Sequence, residues 1–198
     1  WILDDIASDS TAYRRALHER FKEKFSIEQL TAKTEKVRIL ADTDNDGVAD
    51  SSKVFSDGYN DVLDGTAAGI FSLDGTIYLA CIPHIWTLRD KDGDGVAEEK
   101  TSLFEGFGTR VSISGHDLNG FALGPDGRLY GTIGDRSMRV TSKEGTEFFF
   151  QNQGAVFRFD PDGSNFETIH TGLRNPKEIA FDQWGNAVTV DNNSDQGD

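Results

Sequence analysis

Residues 42–50, DTDNDGVAD, and residues 90–98, DKDGDGVAE, repeat one arrangement of acids. Asp42, Asp44 and Asp46 alternate, Gly47 turns the chain, Val48 offers a carbonyl and Asp50 closes the run; Asp90, Asp92, Asp94, Gly95, Val96 and Glu98 take the same places in the second loop. Alternate residues of a tight loop aim their oxygens at one centre. Carboxylates that close repel one another unless a hard divalent cation lies between them, and Ca²⁺ suits such oxygen ligands best. The twelfth positions hold Lys53 and Thr101, not the bidentate Glu of an EF-hand, and the flanking runs read as strands. The expected role is a metal-dependent staple, since two Ca²⁺ would cut the charge of the eight loop carboxylates from −8 to −4. A solvated acidic turn is the alternative, and the full spacing occurring twice speaks against it. Few ligands are assured, which implies the weaker, extracellular range of affinity and so a secreted or periplasmic protein.

A second constellation lies in GHDLNGFALGPDGRLYGTIGDR, residues 115–136. His116 and Asp117 precede one strand and Asp135 closes the next, so a hairpin can return Asp135 to His116. A carboxylate beside an imidazole fixes its tautomer and raises its basicity, as a general base requires. His18 on a helix, His84 after Pro83 and His170 in an alternating strand read as packing or surface residues. Farther on, Arg174 and Asn175 stand at a turn just before a strand. The alternative for this group is structural: His116 and Asp135 pin a hairpin, and Arg174 pairs with a surplus acid.

The elements that must position these residues are mostly β. After Lys36 come short β-rich runs, VRIL, TIYLA, IWTL, RLYGTI, AVFRF and AVTV, separated by Gly-Asp turns. The acidic loops begin 48 residues apart, and hairpins with turns at Gly75, Gly127 and Gly185 recur at spacings of 52 and 58. A hairpin-built repeat of that length predicts the blades of a β-propeller, with insertions where the spacing grows. Residues 36–198 are therefore expected to form an all-β, six-bladed propeller in part. At about 50 residues per blade they supply three to four blades of a ring that needs 4–8. The reading is an N-terminal portion of a larger protein, or a ring closed by another chain.

Residues 1–35 are expected to be a short helical segment at the periphery. Tyr13, Leu17, Phe21 and Phe25 recur on one helical face, and Ser26 with Gln29 opens a second short helix. The formal charge of −14 argues against nucleic acid and anionic membranes as partners, and no apolar run is long enough to span a bilayer. Cys81, in the apolar stretch YLACIPHIW, excludes an internal disulfide and reads as a buried thiol.

Around His116 to Asp135, in GAVFRFDPDGS and around Arg174 to Phe181, the sequence resembles the soluble pyrroloquinoline-quinone-dependent sugar dehydrogenases, which are six-bladed propellers. The likeness covers about residues 115–193. The first half, with its paired acidic loops, is similar to large secreted dehydrogenase-like propellers often fused to c-type haem domains. The resemblance implies that His116 takes the proton of a sugar or alcohol hydroxyl as hydride passes to pyrroloquinoline quinone. It further implies that Arg174 and Asn175 hold the cofactor, and that a cytochrome can accept the electrons. The family's Ca²⁺ beside the quinone uses carbonyls in the segment matching Asp191–Asn193, where Asp-Asn-Asn replaces Gly-Pro; several cofactor contacts come from later blades; and no CxxCH motif is present. The rival readings are a non-catalytic calcium-binding propeller serving as a binding module and a propeller hydrolase using one central Ca²⁺. Acidic loops that recur instead of converging speak against the hydrolase.

Overall fold

The computed structural model describes residues 1–112 and 115–192. Three helices come first: α1 (Ile2–Ile6), α2 (Thr11–Arg20) and α3 (Ile27–Thr31). Fourteen strands follow: β1 (Glu35–Ala41), β2 (Ser51–Tyr59), β3 (Gly69–Leu73), β4 (Thr76–Cys81), β5 (His84–Arg89), β6 (Glu99–Glu105), β7 (Leu118–Leu123), β8 (Leu129–Ile133), β9 (Met138–Thr141), β10 (Glu147–Phe150), β11 (Gly154–Phe159), β12 (Glu167–Leu173), β13 (Pro176–Phe181) and β14 (Ala187–Asp191). All pairings are antiparallel. Two four-stranded sheets have the orders β3-β4-β5-β6 and β7-β8-β11-β12, and β1-β2 and β13-β14 stand as pairs.

Strand periodicity explains how the sheets stack. On β4, Tyr78 and Ala80 belong to one apolar cluster and Leu79 and Cys81 to another, so both faces are covered and the strand reads as a continuous apolar run. Tyr78, Ala80, Ile85 and Phe104 meet Leu129, Ile133, Phe157 and Phe159 of the next sheet. On the opposite face Leu79, Cys81 and Leu88 pack on Val37, Phe55 and Tyr59 of β1 and β2. Tyr130 and Val156 turn away from the central core to meet Ile179 of β13. The order of layers is thus β1-β2, first four-stranded sheet, second four-stranded sheet, β13-β14.

The innermost strands draw together at glycines. A Cβ on Gly69 of β3 would lie 2.6 Å from the Asn119 carbonyl of β7, and one on Gly120 of β7 would lie 2.9 Å from Glu178 of β13. Meandering four-stranded sheets stacked face to face, with first strands adjacent, make the molecule propeller-like and unclosed. The hairpin β9-β10, inserted between the second and third strands of the second sheet, accounts for the longer spacing of 58.

The helical segment differs from its expected face and place. Ser10 and Ser26 cap α2 and α3 by accepting from the amides of Tyr13 and Gln29, both at 3.2 Å. The buried side of α2, however, is Arg14, Leu17 and His18; Tyr13 and Phe21 are half-buried. Arg14 is 1% exposed. Its Nη1 donates to the Arg110 carbonyl at 3.2 Å, and its Nη2 donates to the Leu63 carbonyl. Ser8 and Thr109 exchange two side-chain-to-carbonyl bonds, of 2.6 and 3.2 Å. The segment is a strap bonded to the connections that link the sheets, at Leu63 and at Thr109 and Arg110, through buried side chains.

Candidate functional site

The β-strands on either side position both acidic loops: the first joins β1 to β2 and the second joins β5 to β6. Asp42 accepts from the amides of Asp46 at 3.2 Å and Gly47 at 2.8 Å. Asp90 accepts from those of Gly93 and Gly95, both at 2.7 Å. Asp46 caps the Val48 amide and Asp94 the Val96 amide, each at 2.8 Å. Gly47 and Gly95, with φ of 90° and 84°, take the left-handed turn that points these amides inward. The Gly47 amide, then other loop amides, hold the Asp42 carboxyl below its usual pKa, and Asp90 is lowered in the same way, first by Gly95.

Oxygens of Asp90, Asp92, Asp94 and Glu98 lie within 4.8 Å of one another, as do those of Asp42, Asp44 and Asp46. An all-oxygen set of that span fits Ca²⁺, whose ligands lie about 2.3–2.6 Å from the ion. Asp50 stands outside the first group, its carboxylate accepting from the Thr43 amide at 3.1 Å and hydroxyl at 2.7 Å. Glu98, one methylene longer, reaches its group while accepting from the Lys91 amide at 2.7 Å. Val48 and Val96 donate their amides into the loops and are exposed. Lys53 crosses from the first hairpin to the second, 3.5 Å from Asp94 Oδ2.

The loops and the histidine occupy opposite ends of the sheets. Leu73 pairs with Thr76 and Arg89 with Glu99, so the second loop leaves the end that carries the Asp74–Gly75 turn. His116 precedes β7 and Asp135 follows β8, at the end where the inner strands begin. There the expected approach occurs: His116 Nδ1 lies 2.9 Å from Asp135 Oδ1. His116 is 6% exposed. Asp135 is fixed further by its amide, which donates to the Arg174 carbonyl at 2.7 Å.

Asp191 accepts from the amides of Arg174 at 2.9 Å and Asn175 at 2.6 Å, while Arg174 Nη1 donates to the Asn192 carbonyl at 2.7 Å. Asn175 is 1% exposed; its Oδ1 accepts from Asn119 Nδ2 at 3.3 Å, and its Nδ2 has no hydrogen-bond partner among the described residues. Asn119 also ties β7 to β13 by donating to the Pro176 carbonyl at 2.7 Å. Asn193, the last residue of the segment matched to the family's calcium carbonyls, lies outside the described residues.

Asp117, beside the histidine, is directed to Ser112, whose hydroxyl it accepts. Burial raises its pKa, against the opposing pull of Ser112, Arg14, Arg136 and His116. Burial likewise lowers Arg14 to about 10. Asp5, Arg14, Asn119 and Arg136 escaped the sequence reading. Of these, Arg136 alone carries a local signal, through its place next to Asp135. His84 starts β5 with Nδ1 2.8 Å from Ser102 Oγ, His170 is exposed, and His18 and Cys81 are buried.

Strand order and inner-strand contact define an antiparallel, propeller-like β protein. The chain belongs to the family described as "Domain of unknown function (DUF7133)", whose model matches residues 13–198. No curated protein matches the sequence. Solved structures similar to it include a nidogen/laminin complex, at 16% identity and a TM-score of 0.36, covering 80% of this chain and 68% of that one. A luciferin-regenerating enzyme is similar at 12% identity and a TM-score of 0.34, with coverages of 65% and 56%. An inactive virginiamycin B lyase variant from Staphylococcus aureus with quinupristin gives 12%, 0.32, 81% and 54%. The chain thus spans between about half and two-thirds of the length of these structures. No helix among the described residues is long and apolar enough to cross a membrane.

Proposed function

We propose that this protein contributes to a six-bladed, calcium-stapled β-propeller that oxidises a sugar or alcohol with pyrroloquinoline quinone in a secreted or periplasmic setting. The observation that carries the reading is the 2.9 Å contact between His116 Nδ1 and Asp135 Oδ1 where the inner strands begin. With Nδ1–H donated to Asp135, Nε2 is the nitrogen left to accept a substrate hydroxyl proton. Asn175 Nδ2, without a hydrogen-bond partner among the described residues, and the neighbouring Arg174 are donors suited to an anionic quinone. When bound, that cofactor supplies hydride acceptance, and the protein supplies orientation and the base. Asp42, Asp44 and Asp46 would hold one Ca²⁺ and Asp90, Asp92, Asp94 and Glu98 a second, both remote from the reaction. A cytochrome is the electron acceptor in this reading.

The natural protein, given pyrroloquinoline quinone and Ca²⁺, is expected to reduce an artificial dye with some member of a sugar and alcohol panel. His116→Ala should lose most of that rate. No quinone binding and no dye reduction across the panel would remove the proposal. A second reading, a non-catalytic calcium-binding module, is favoured by the burial of His116 and Asn175, at 6% and 1% exposure. It predicts wild-type calcium binding without quinone binding.

A further inference from the structure

Asp135 Oδ1 faces both an imidazole and a guanidinium. It lies 2.9 Å from His116 Nδ1 and 3.5 Å from Arg136 Nε. Arg136 Nη1 in turn stands 3.7 Å from Asp5 Oδ2 on α1. Neither Arg136 Nε nor Nη1 has a hydrogen-bond acceptor among the described residues, although the side chain is largely enclosed. The guanidinium is therefore suspended between two carboxylates at ion-pair distance, bonded closely to neither by these nitrogens.

Asp5 is firmly placed. It is 2% exposed, its Oδ1 accepts from the Val111 amide at 2.7 Å, and its Oδ2 accepts from Arg110 Nε and Nη2 at 3.2 and 3.0 Å. We propose that Arg136 is a positioning residue for the His116–Asp135 pair, and that Asp5, by drawing Arg136 toward the N-terminal strap, sets how much of the Asp135 charge the imidazole feels. Its functional meaning rests on His116 being the base, whereas the coupling itself does not.

The electrostatics give opposite signs for the two ends of the chain of charges. A carboxylate beside an imidazole favours the imidazolium, and a cation on the same oxygen opposes it. The other charges at this end are Asp117 before β7, Arg14 on α2, Arg110 in the β6–β7 connection, and Arg174, Lys177 and Asp191 from β12 to β14. Asp117 is engaged with Ser112, Arg14 with the carbonyls of Leu63 and Arg110, Arg174 with Asn192, Lys177 with the Gly115 carbonyl, and Asp191 with two amides. Arg136 is thus the cation that shares Oδ1 with the imidazole.

The test is an NMR titration of the His116 imidazole, which needs no quinone. Arg136→Gln should raise the midpoint by about half a pH unit or more, and Asp5→Asn should lower it. Arg136→Lys should stay near the parent value. The Asp5→Asn effect should shrink in the Arg136→Gln background, because Asp5 acts through Arg136. An unchanged midpoint in Arg136→Gln, shifts of the same sign in both single variants, or an undiminished Asp5 effect in the double variant would overturn the proposal. Should Arg136→Gln fail to fold, a shifted midpoint in the charge-conserving Arg136→Lys would overturn it equally. The expected shifts without dye reduction would retain the coupling and discard the dehydrogenase reading.

Discussion

Asp42 and Asp90 open their loops and have pKa values lowered chiefly by the amides of Gly47 and Gly95. Both are therefore ionised in the folded loop at a pH where the unfolded chain, with a value near 3.8, begins to take up protons. The stability they contribute is present above that pH and is lost as pH falls through the lower folded values. In chelator, the melting temperature is expected to fall below pH 4, and to fall less steeply in Asp42→Asn and Asp90→Asn; an identical slope in the variants would contradict this. The sequence displayed these acids plainly, because each loop bonds within itself. Arg14 was illegible for the opposite reason: its acceptors, the carbonyls of Leu63 and Arg110, lie 49 and 96 residues away, and apolar periodicity cannot report a buried cation. Periodicity alone accordingly points to Tyr13, Leu17, Phe21 and Phe25 as the helical face, whereas Arg14, Leu17 and His18 are the side that is buried.

Among elements, hairpins were the most readable, since each turn declares itself. Asp74 and Gly75, with φ of 47° and 74°, form the two-residue turn between β3 and β4, and the register continues unbroken from Leu73–Thr76 to Gly69–Ala80. A Cβ on Gly75 would meet nothing within 4 Å, so Gly75→Ala pays only for its backbone angle, about 1–2 kcal/mol. Gly69→Ala should cost more, because its Cβ would press on backbone of β7 that cannot yield without parting the inner strands. Denaturant unfolding of the two variants checks the order, and a milder effect at Gly69 would argue against close inner-strand contact. The β9-β10 hairpin left only an enlarged spacing in the repeat; its edges became visible through pairing of Glu147–Phe150 with Met138–Thr141. Likewise, His116 and Asp135 are brought together by two strands whose directions the sequence implies, and Arg136 follows Asp135 directly, whereas Asp5 reaches Arg136 on a strap packed from the far end of the chain.

At the scale of the molecule, a chain of formal charge −14 stacks four layers of β-structure face to face. Its two most concentrated groups of acid project from equivalent hairpins of successive layers and are joined by Lys53 reaching Asp94. A cation in each loop would relieve that crowding and fix the hairpins between which the layers lock, whereas the His116 end is already balanced by Arg14, Arg110 and Arg136 against Asp5, Asp117 and Asp135. The hairpin repeat and its propeller-like character are legible in the sequence, but strand order, layering and the charges gathered at the histidine end required the tertiary structure. Calorimetric titration of the metal-free protein with Ca²⁺ tests the account most directly. It should register two ions per chain with a rise in melting temperature, and one ion in each of Asp44→Ala and Asp92→Ala; no heat of binding and an unchanged melt would contradict it.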